Sequence, residues 1–148
     1  MTFRFNDGAD RLTPSFGLLR CGAAAASTFL VLYAFLALLL LNVVRSWISG
    51  AASIDEAAGR LRLVEVPVLL IDFVTGAVGC LVGLTVAHRH GLGPGALAMA
   101  IGAPVLVAVL LLPFGGRNGT AAVLDLVVVM CGTAGGAALS RQLSGPLG

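Results

Sequence analysis

Four long apolar segments, separated by short polar or glycine-rich stretches, dominate the pattern of hydrophobic and polar positions along the chain. At about 1.5 Å per residue, the first segment extends about 36 Å as a helix, whereas a hydrocarbon core is about 30 Å thick. The pattern therefore predicts an all-α integral membrane protein that forms a single domain over residues 1–148. We expect the four transmembrane helices at residues 21–44, 66–87, 95–114 and 121–140.

The residues before the first span are mixed and polar, and Pro14 among them disfavours a helix, so we expect a short lead-in that ends at Arg20. Four spans place both termini on one side of the membrane. Arginines at positions 4, 11 and 20 precede the first span, and the positive-inside rule then predicts that both termini are cytoplasmic. A cleaved signal peptide is the alternative, because Ser49 and Ala51 are small, but its apolar region is typically only about 7–15 residues long.

The composition of the chain agrees with a membrane location. Its 148 residues are 58% hydrophobic and 11% charged, with a mean hydropathy of +1.02, whereas soluble domains are about 25% charged. All basic residues are arginines, among abundant Gly, Ala, Val and Leu, which is typical of GC-rich bacterial genomes and favours the bacterial inner membrane. The net charge of +2 is scattered along the chain, which excludes a nucleic-acid interface built from clustered basic residues.

A short polar stretch between the first two spans carries a helix start signal. Ser53 and Glu56 have the spacing of a capping box, in which the serine accepts from the Glu56 amide while the glutamate reaches back. The apolar residues that follow return to one face of a helix, which predicts a short helix lying in the membrane interface. They are Ile54, Ala57, Ala58 and Leu61. A solvated loop is the alternative interpretation.

One motif occurs twice, in the second and in the fourth span: an aspartate is followed seven and eleven residues later by glycines. Its two copies are Asp72, Gly79, Gly83 and Asp125, Gly132, Gly136. Offsets of four, seven and eleven residues return to nearly the same helix face, so Gly76 joins the first stripe and Glu65 lies one heptad before it. Glycines allow close helix contact, which predicts that these two spans pack through their glycine faces and that both carboxylates face protein.

The two motif copies are 53 residues apart at every position, and their helices are expected to run in the same direction. This spacing suggests two similar helical hairpins related by a parallel repeat. Chance similarity in a chain rich in Gly, Ala and Val is the alternative explanation.

The aspartates lie inside the membrane but not at its centre. The standard rise places Asp72 about 9 Å and Asp125 about 6 Å from the starts of their spans. Four arginines are expected on the same side of the membrane and are candidate counter-ions: Arg45, Arg60, Arg62 and Arg117. Three roles for the carboxylates remain open: a buried ion-pair layer that fixes helix register, a cation or proton site, and a contact with another subunit.

Other chemistry-bearing residues give no catalytic pattern. Cys21, Cys80 and Cys131 lie in apolar segments without CxxC spacing, which predicts small buried side chains. His88 and His90 are two residues apart at a helix end, a poor geometry for joint metal or haem ligation. We therefore expect no metal and no cofactor.

Part of the chain from about residue 116 onwards resembles the closing helix of VanZ-like membrane proteins, in which a Gly-Arg turn precedes an aspartate and an asparagine ahead of paired glycines. The shared residues are Gly116, Arg117, Asp125, Gly132 and Gly136. Val129 occupies the position of the family's asparagine, and the third span has none of the acidic or amide residues that the family carries there. The resemblance therefore transfers no function.

The absence of a nucleophile with a base, of a cofactor motif and of extramembrane mass favours a protein that is not an enzyme. We expect an accessory or assembly subunit of a membrane complex, or a small homo-oligomer, with the lipid bilayer and other membrane subunits or copies of itself as partners. The alternative is a small transporter or channel in which Asp72 and Asp125 bind a cation or proton. An intramembrane enzyme is a third and less favoured hypothesis.

Overall fold

The computed structural model describes residues 14–114 and 118–144, and within them it contains helices and no strand. The helices are α1 (Pro14–Ser49), α2 (Ile54–Leu63), α3 (Glu65–Arg89), α4 (Gly95–Leu111) and α5 (Gly119–Leu143), and a 3-10 turn (Leu112–Phe114) extends α4. Four stretches of helix are long and apolar enough to cross a membrane: Ser15–Ser49, Ile54–Arg89, Gly95–Phe114 and Gly119–Leu143. The all-helical class with four such stretches is confirmed, and it suggests a membrane location.

The start of α1 differs from the prediction. The helix begins at Pro14, so the residues up to Arg20 that were expected to form a lead-in are its first turns. Proline is tolerated in a first helical turn because its missing amide hydrogen has no partner there, and its fixed φ suits the helix. The Arg20 guanidinium lies 4.7 Å from the centre of the Phe16 ring, a cation–π contact one turn along the same helix.

The serine half of the capping box predicted at the start of α2 is present, while the glutamate reaches one residue further back than the N-cap amide. The Ser53 hydroxyl accepts a hydrogen bond from the Glu56 amide at 3.2 Å, and the Glu56 carboxylate accepts one from the Ala52 amide at 3.0 Å. No residue of α2 is buried, and Ile54 is 88% exposed. Only Val64 separates α2 from α3, so the two helices nearly form one. The position of α2 in a membrane interface remains a prediction.

Helix α3 packs against α1, α4 and α5, and its contacts with α5 and α1 are the most extensive between any two helices of the described chain. Phe73 and Ala77 of α3 face Gly132 and Gly136 of α5, so these two helices run in the same direction. Helix α1 runs the opposite way, because Gly83 lies beside Cys21 and Gly79 lies beside Phe29. The chain therefore alternates direction from one span to the next.

The contact between α3 and α5 is a close approach of two backbones. A Cβ atom built on Gly132 or Gly136 would lie closer to the carbonyl oxygen of Phe73 or Ala77 than real Cβ atoms come. Gly76 faces α5 in turn, and a Cβ there would lie 2.8 Å from the Val129 carbonyl oxygen. Only glycine fits at these positions without a shift of the backbone.

The other two glycines of the α3 stripe face different neighbours. A Cβ on Gly79 would lie 3.0 Å from the Ala25 carbonyl oxygen of α1, and one on Gly83 would lie 3.1 Å from the Ala100 Cβ of α4. Of the α3 stripe, therefore, Gly76 contacts the fourth span, whereas Gly79 and Gly83 contact the first and third. The reason is that α3 packs against three helices, so residues one or two turns apart on one stripe meet different neighbours.

Small and weakly polar side chains fill the space around α3. Cys21 is fully buried and its thiol donates to the Gly83 carbonyl at 3.1 Å, while Cys80 is buried beside α1. The buried hydroxyl of Thr133 donates to the Met130 carbonyl of its own helix at 2.8 Å. Cys131 is exposed on the outer face of α5, which corrects the prediction that all three cysteines are buried.

Gly132→Ala should destabilise the fold by about 1–3 kcal/mol, because the added methyl group forces α3 and α5 apart. Gly102→Ala is the matched control: its Cβ meets nothing within 4 Å, and alanine favours a helix over glycine by about 1 kcal/mol. The measurement is thermal unfolding of the detergent-solubilised protein. Equal unfolding temperatures for the two variants would contradict the close backbone contact.

Ser53→Ala should weaken the start of α2 by about 1 kcal/mol, because the Glu56 amide loses its acceptor. Hydrogen exchange of the α2 amides measures this effect, and exchange in α3 serves as the internal reference. Unchanged protection of α2 would show that the cap does not hold this helix.

Candidate functional site

Helices α1, α3, α4 and α5 line a partly open cavity of about 70 Å³. Three of its lining residues carry polar side-chain atoms: Tyr33 of α1, Asp72 of α3 and Asp125 of α5. The rest of the lining is apolar and includes Phe29 and Leu111. A volume of this size holds a few water molecules or one small ion, since a single water needs only about 10–15 Å³ of such space.

The two aspartates reach this cavity from different helices. Asp72 is 4% exposed and lies two turns after the start of α3, and Asp125 is partly buried on α5. The contacts of Gly76 with Val129 and of Phe73 with Gly132 set the register of α3 and α5. This register places the two aspartates within about one helical turn of each other along the bundle, or roughly 5 Å.

Tyr33 was not identified from the sequence. Its ring stacks on Phe29 with 5.8 Å between ring centres and 13° between planes, so the phenol is held at the cavity wall. A hydroxyl there can donate to a carboxylate or accept from a bound cation or water. The sequence does contain a signal for this residue. Tyr33 is the only tyrosine of the chain and lies within a long apolar run, where its hydroxyl needs a polar partner.

Glu65 lies apart from the other acidic candidates. It is the first residue of α3, is exposed and does not line the cavity. At the standard rise it lies about 10 Å along the helix axis from Asp72, which is seven residues further on. Glu65 therefore has the helical spacing of the aspartate stripe, but it lies too far towards the start of α3 to line the cavity.

The four arginines predicted as candidate counter-ions differ in their surroundings. Arg60 pairs with Glu56 of α2, donates to the Trp47 carbonyl and lies 5.6 Å from the centre of the Trp47 ring. Arg45 and Arg62 are exposed and do not line the cavity. Arg117 lies outside the described residues, so its role as a counter-ion remains a prediction.

The histidines lie far from this cavity. His88 and His90 are exposed at the opposite end of α3. Across residues 14–114 and 118–144 there is no group of three or more His, Cys, Asp and Glu side chains that could hold a metal ion. The chemistry available at the cavity is therefore that of two carboxylates and a phenol.

The chemistry that carboxylates can offer at this position is acceptance of positive charge. A carboxylate within an apolar bundle carries a desolvation cost, and a proton or a small cation beside it lowers that cost. The phenol supplies a neutral oxygen that can complete the coordination of an ion or its water.

Comparison with known proteins assigns no family, since no family model, curated protein or solved structure matches the chain.

Proposed function

We propose that this chain is a small membrane protein that binds a proton or a monovalent cation between its helices, as part of a transport or channel activity. The observation that carries the proposal is that Asp72 and Asp125, from two different helices, line one cavity with Tyr33. Ionisable residues within membrane helices typically face a bundle interior and mark ion or proton pathways. The sequence alone did not favour this function over an accessory role.

The position of the cavity along the bundle indicates from which side of the membrane an ion would reach it. It lies near the starts of α3 and α5, which are at the end of the bundle where α1 finishes. With both termini in the cytoplasm, as the arginine distribution predicts, this end faces away from the cytoplasm. We therefore expect ions to reach the carboxylates first from the periplasmic side of a bacterial inner membrane.

Asp72→Asn and Asp125→Asn should each reduce ion flux by at least about tenfold, because the neutral amide no longer attracts a cation across the membrane. The measurement is flux of H⁺, Na⁺ and K⁺ into proteoliposomes. Glu65→Gln is the matched control, as it removes an exposed carboxylate of the same helix outside the cavity. Membrane abundance of all three variants is followed in parallel.

The two readouts separate the roles left open by the sequence. Flux lost at normal abundance supports the ion site. Abundance that falls together with flux indicates a structural carboxylate, held by an ion pair that fixes helix register. In that case Arg117→Gln should reproduce the loss of abundance, because Arg117 is the candidate counter-ion next to the start of α5.

A second candidate is an accessory subunit or a homo-oligomer. The observation that favours it lies on α1, the least buried of the four spans. Val31, Phe35 and Leu38 are all exposed and recur with helical spacing, so they form one apolar stripe. Lipid covers such a stripe in a monomer, whereas another transmembrane helix covers it in a complex.

Isolation of the tagged chain in a mild detergent tests this candidate. We expect a co-purifying subunit or a mass larger than one chain, and Phe35→Ala should weaken that association. Phe114→Ala is the control, since Phe114 is exposed but lies at the end of α4. Recovery of the unaltered chain as a lone monomer would count against a subunit role.

A further inference from the structure

The end of the bundle that lies away from the carboxylate cavity carries exposed basic side chains. It consists of the start of α1, the end of α3 with the turn into α4, and the end of α5. Each of the three long helices contributes one exposed arginine: Arg20 on α1, Arg89 on α3 and Arg141 on α5. The exposed side chains of His88 and His90 flank Arg89 and can also donate hydrogen bonds. We call these five residues the basic end.

The three arginines lie at similar depth along the bundle. The 3.1 Å hydrogen bond from the Cys21 thiol to α3 places Arg20 about 8 Å along the bundle from Arg89. The glycine contacts of α5 with α3 place Arg141 about 10 Å from the level of Arg89. The polar layer of one leaflet is about 5–8 Å thick, and long arginine side chains extend along the protein surface to reach it. All three guanidinium groups can therefore lie in the headgroup layer of the same leaflet.

Acidic side chains are distant from the basic end. Among residues 14–114 and 118–144, the nearest one on α3 is Asp72, 17 residues before Arg89, or about 25 Å along the helix. The nearest one on α5 is Asp125, 16 residues before Arg141, or about 24 Å. The other end of the bundle is different, because its arginines lie among acidic residues, three of which are Asp55, Glu56 and Glu65. The two ends therefore differ in charge.

Exposed leucines accompany two of these arginines. Leu19 directly precedes Arg20 on α1, and Leu139 and Leu143 lie on either side of Arg141 on α5. A cation beside an exposed aliphatic side chain marks the boundary between the hydrocarbon and the polar layer of a membrane. A partner that matches both groups carries an anionic head on an apolar chain.

We propose that the basic end binds the headgroups of anionic phospholipids, such as phosphatidylglycerol, in the leaflet that it faces. The arginines donate charge-assisted hydrogen bonds to phosphodiester oxygens, and the leucines contact the acyl chains below. Phosphatidylcholine has the same phosphate, but its choline group cancels the net charge, so the basic end selects the anionic lipid. The inference is independent of the ion site, since no residue of the basic end lines the carboxylate cavity.

An acidic protein segment is the other class of partner that a basic surface can bind. Such a segment would match the arginines but leave the exposed leucines beside them without a role. The similar depth of the three arginines also matches a planar layer of headgroups. Both observations favour the lipid.

The test uses the full-length protein in phosphatidylcholine bilayers that contain traces of chain-labelled phosphatidylglycerol or phosphatidylcholine. Electron spin resonance measures the fraction of each spin-labelled lipid that is immobilised at the protein surface. The unaltered protein should hold phosphatidylglycerol at least about threefold more strongly than phosphatidylcholine. Both leaflets contain the label, so the result does not depend on the orientation of the protein.

The double variant Arg20→Gln with Arg141→Gln should lower this preference at least about twofold. The matched control is Arg45→Gln with Arg62→Gln, which removes two exposed arginines from the other end and should leave the preference unchanged. Arg20→Lys with Arg141→Lys retains the charge and should also keep the preference. Sodium chloride at about 1 M should remove it from the unaltered protein, because the Debye length falls to about 3 Å.

Three results would overturn the proposal. The first is equal immobilisation of the two lipids by the unaltered protein. The second is an equal loss of preference in the glutamine pair and its matched control, which would show that the basic end is not the site. The third is a loss in the lysine pair as large as in the glutamine pair, which would show a structural role of the arginines and not a role of their charge.

Discussion

The close approach of α3 and α5 is the constraint on which the rest of the structure depends. Gly132 and Gly136 allow the carbonyl groups of Phe73 and Ala77 to lie against the α5 backbone. In a membrane, helix association relies on such packing, because lipid tails are as apolar as the side chains they would replace. This contact fixes the direction and the register of the two helices, and the register in turn brings Asp72 and Asp125 to one cavity.

The two copies of the aspartate and glycine motif have different surroundings in spite of their equal spacing. On α5 the glycines contact a single neighbour, whereas on α3 the stripe meets α5 at Gly76 and α1 and α4 at Gly79 and Gly83. The aspartate of each copy nevertheless lies before its glycines, where the helices separate enough to leave a cavity. The glycines thus permit contact between the helix backbones, and the larger side chains around the aspartates line a cavity.

The sequence predicts those features of the structure that depend on residues close together in the chain. The four apolar helices follow from run length, and the start of α2 follows from Ser53 and Glu56, because each involves residues close in the chain. The partner of each glycine is not local, since helical spacing defines a face but not the helix that covers it. The position of Tyr33 beside the two carboxylates was not predicted for the same reason, because it depends on how α1 packs against other helices. Pro14 was misjudged because proline breaks a helix only in its interior.

The contacts of Arg60 have a mechanical consequence for the interior of the bundle. Arg60 joins α2 to the end of α1 through the Trp47 carbonyl and ring, and α2 continues through Val64 into α3. The two helices joined in this way also line an aliphatic groove, which lies between the segment from Tyr33 to Val44 on α1 and Val68 and Ile71 on α3. A polar contact outside the apolar region therefore joins the two helices that bound a hydrocarbon-lined space within it.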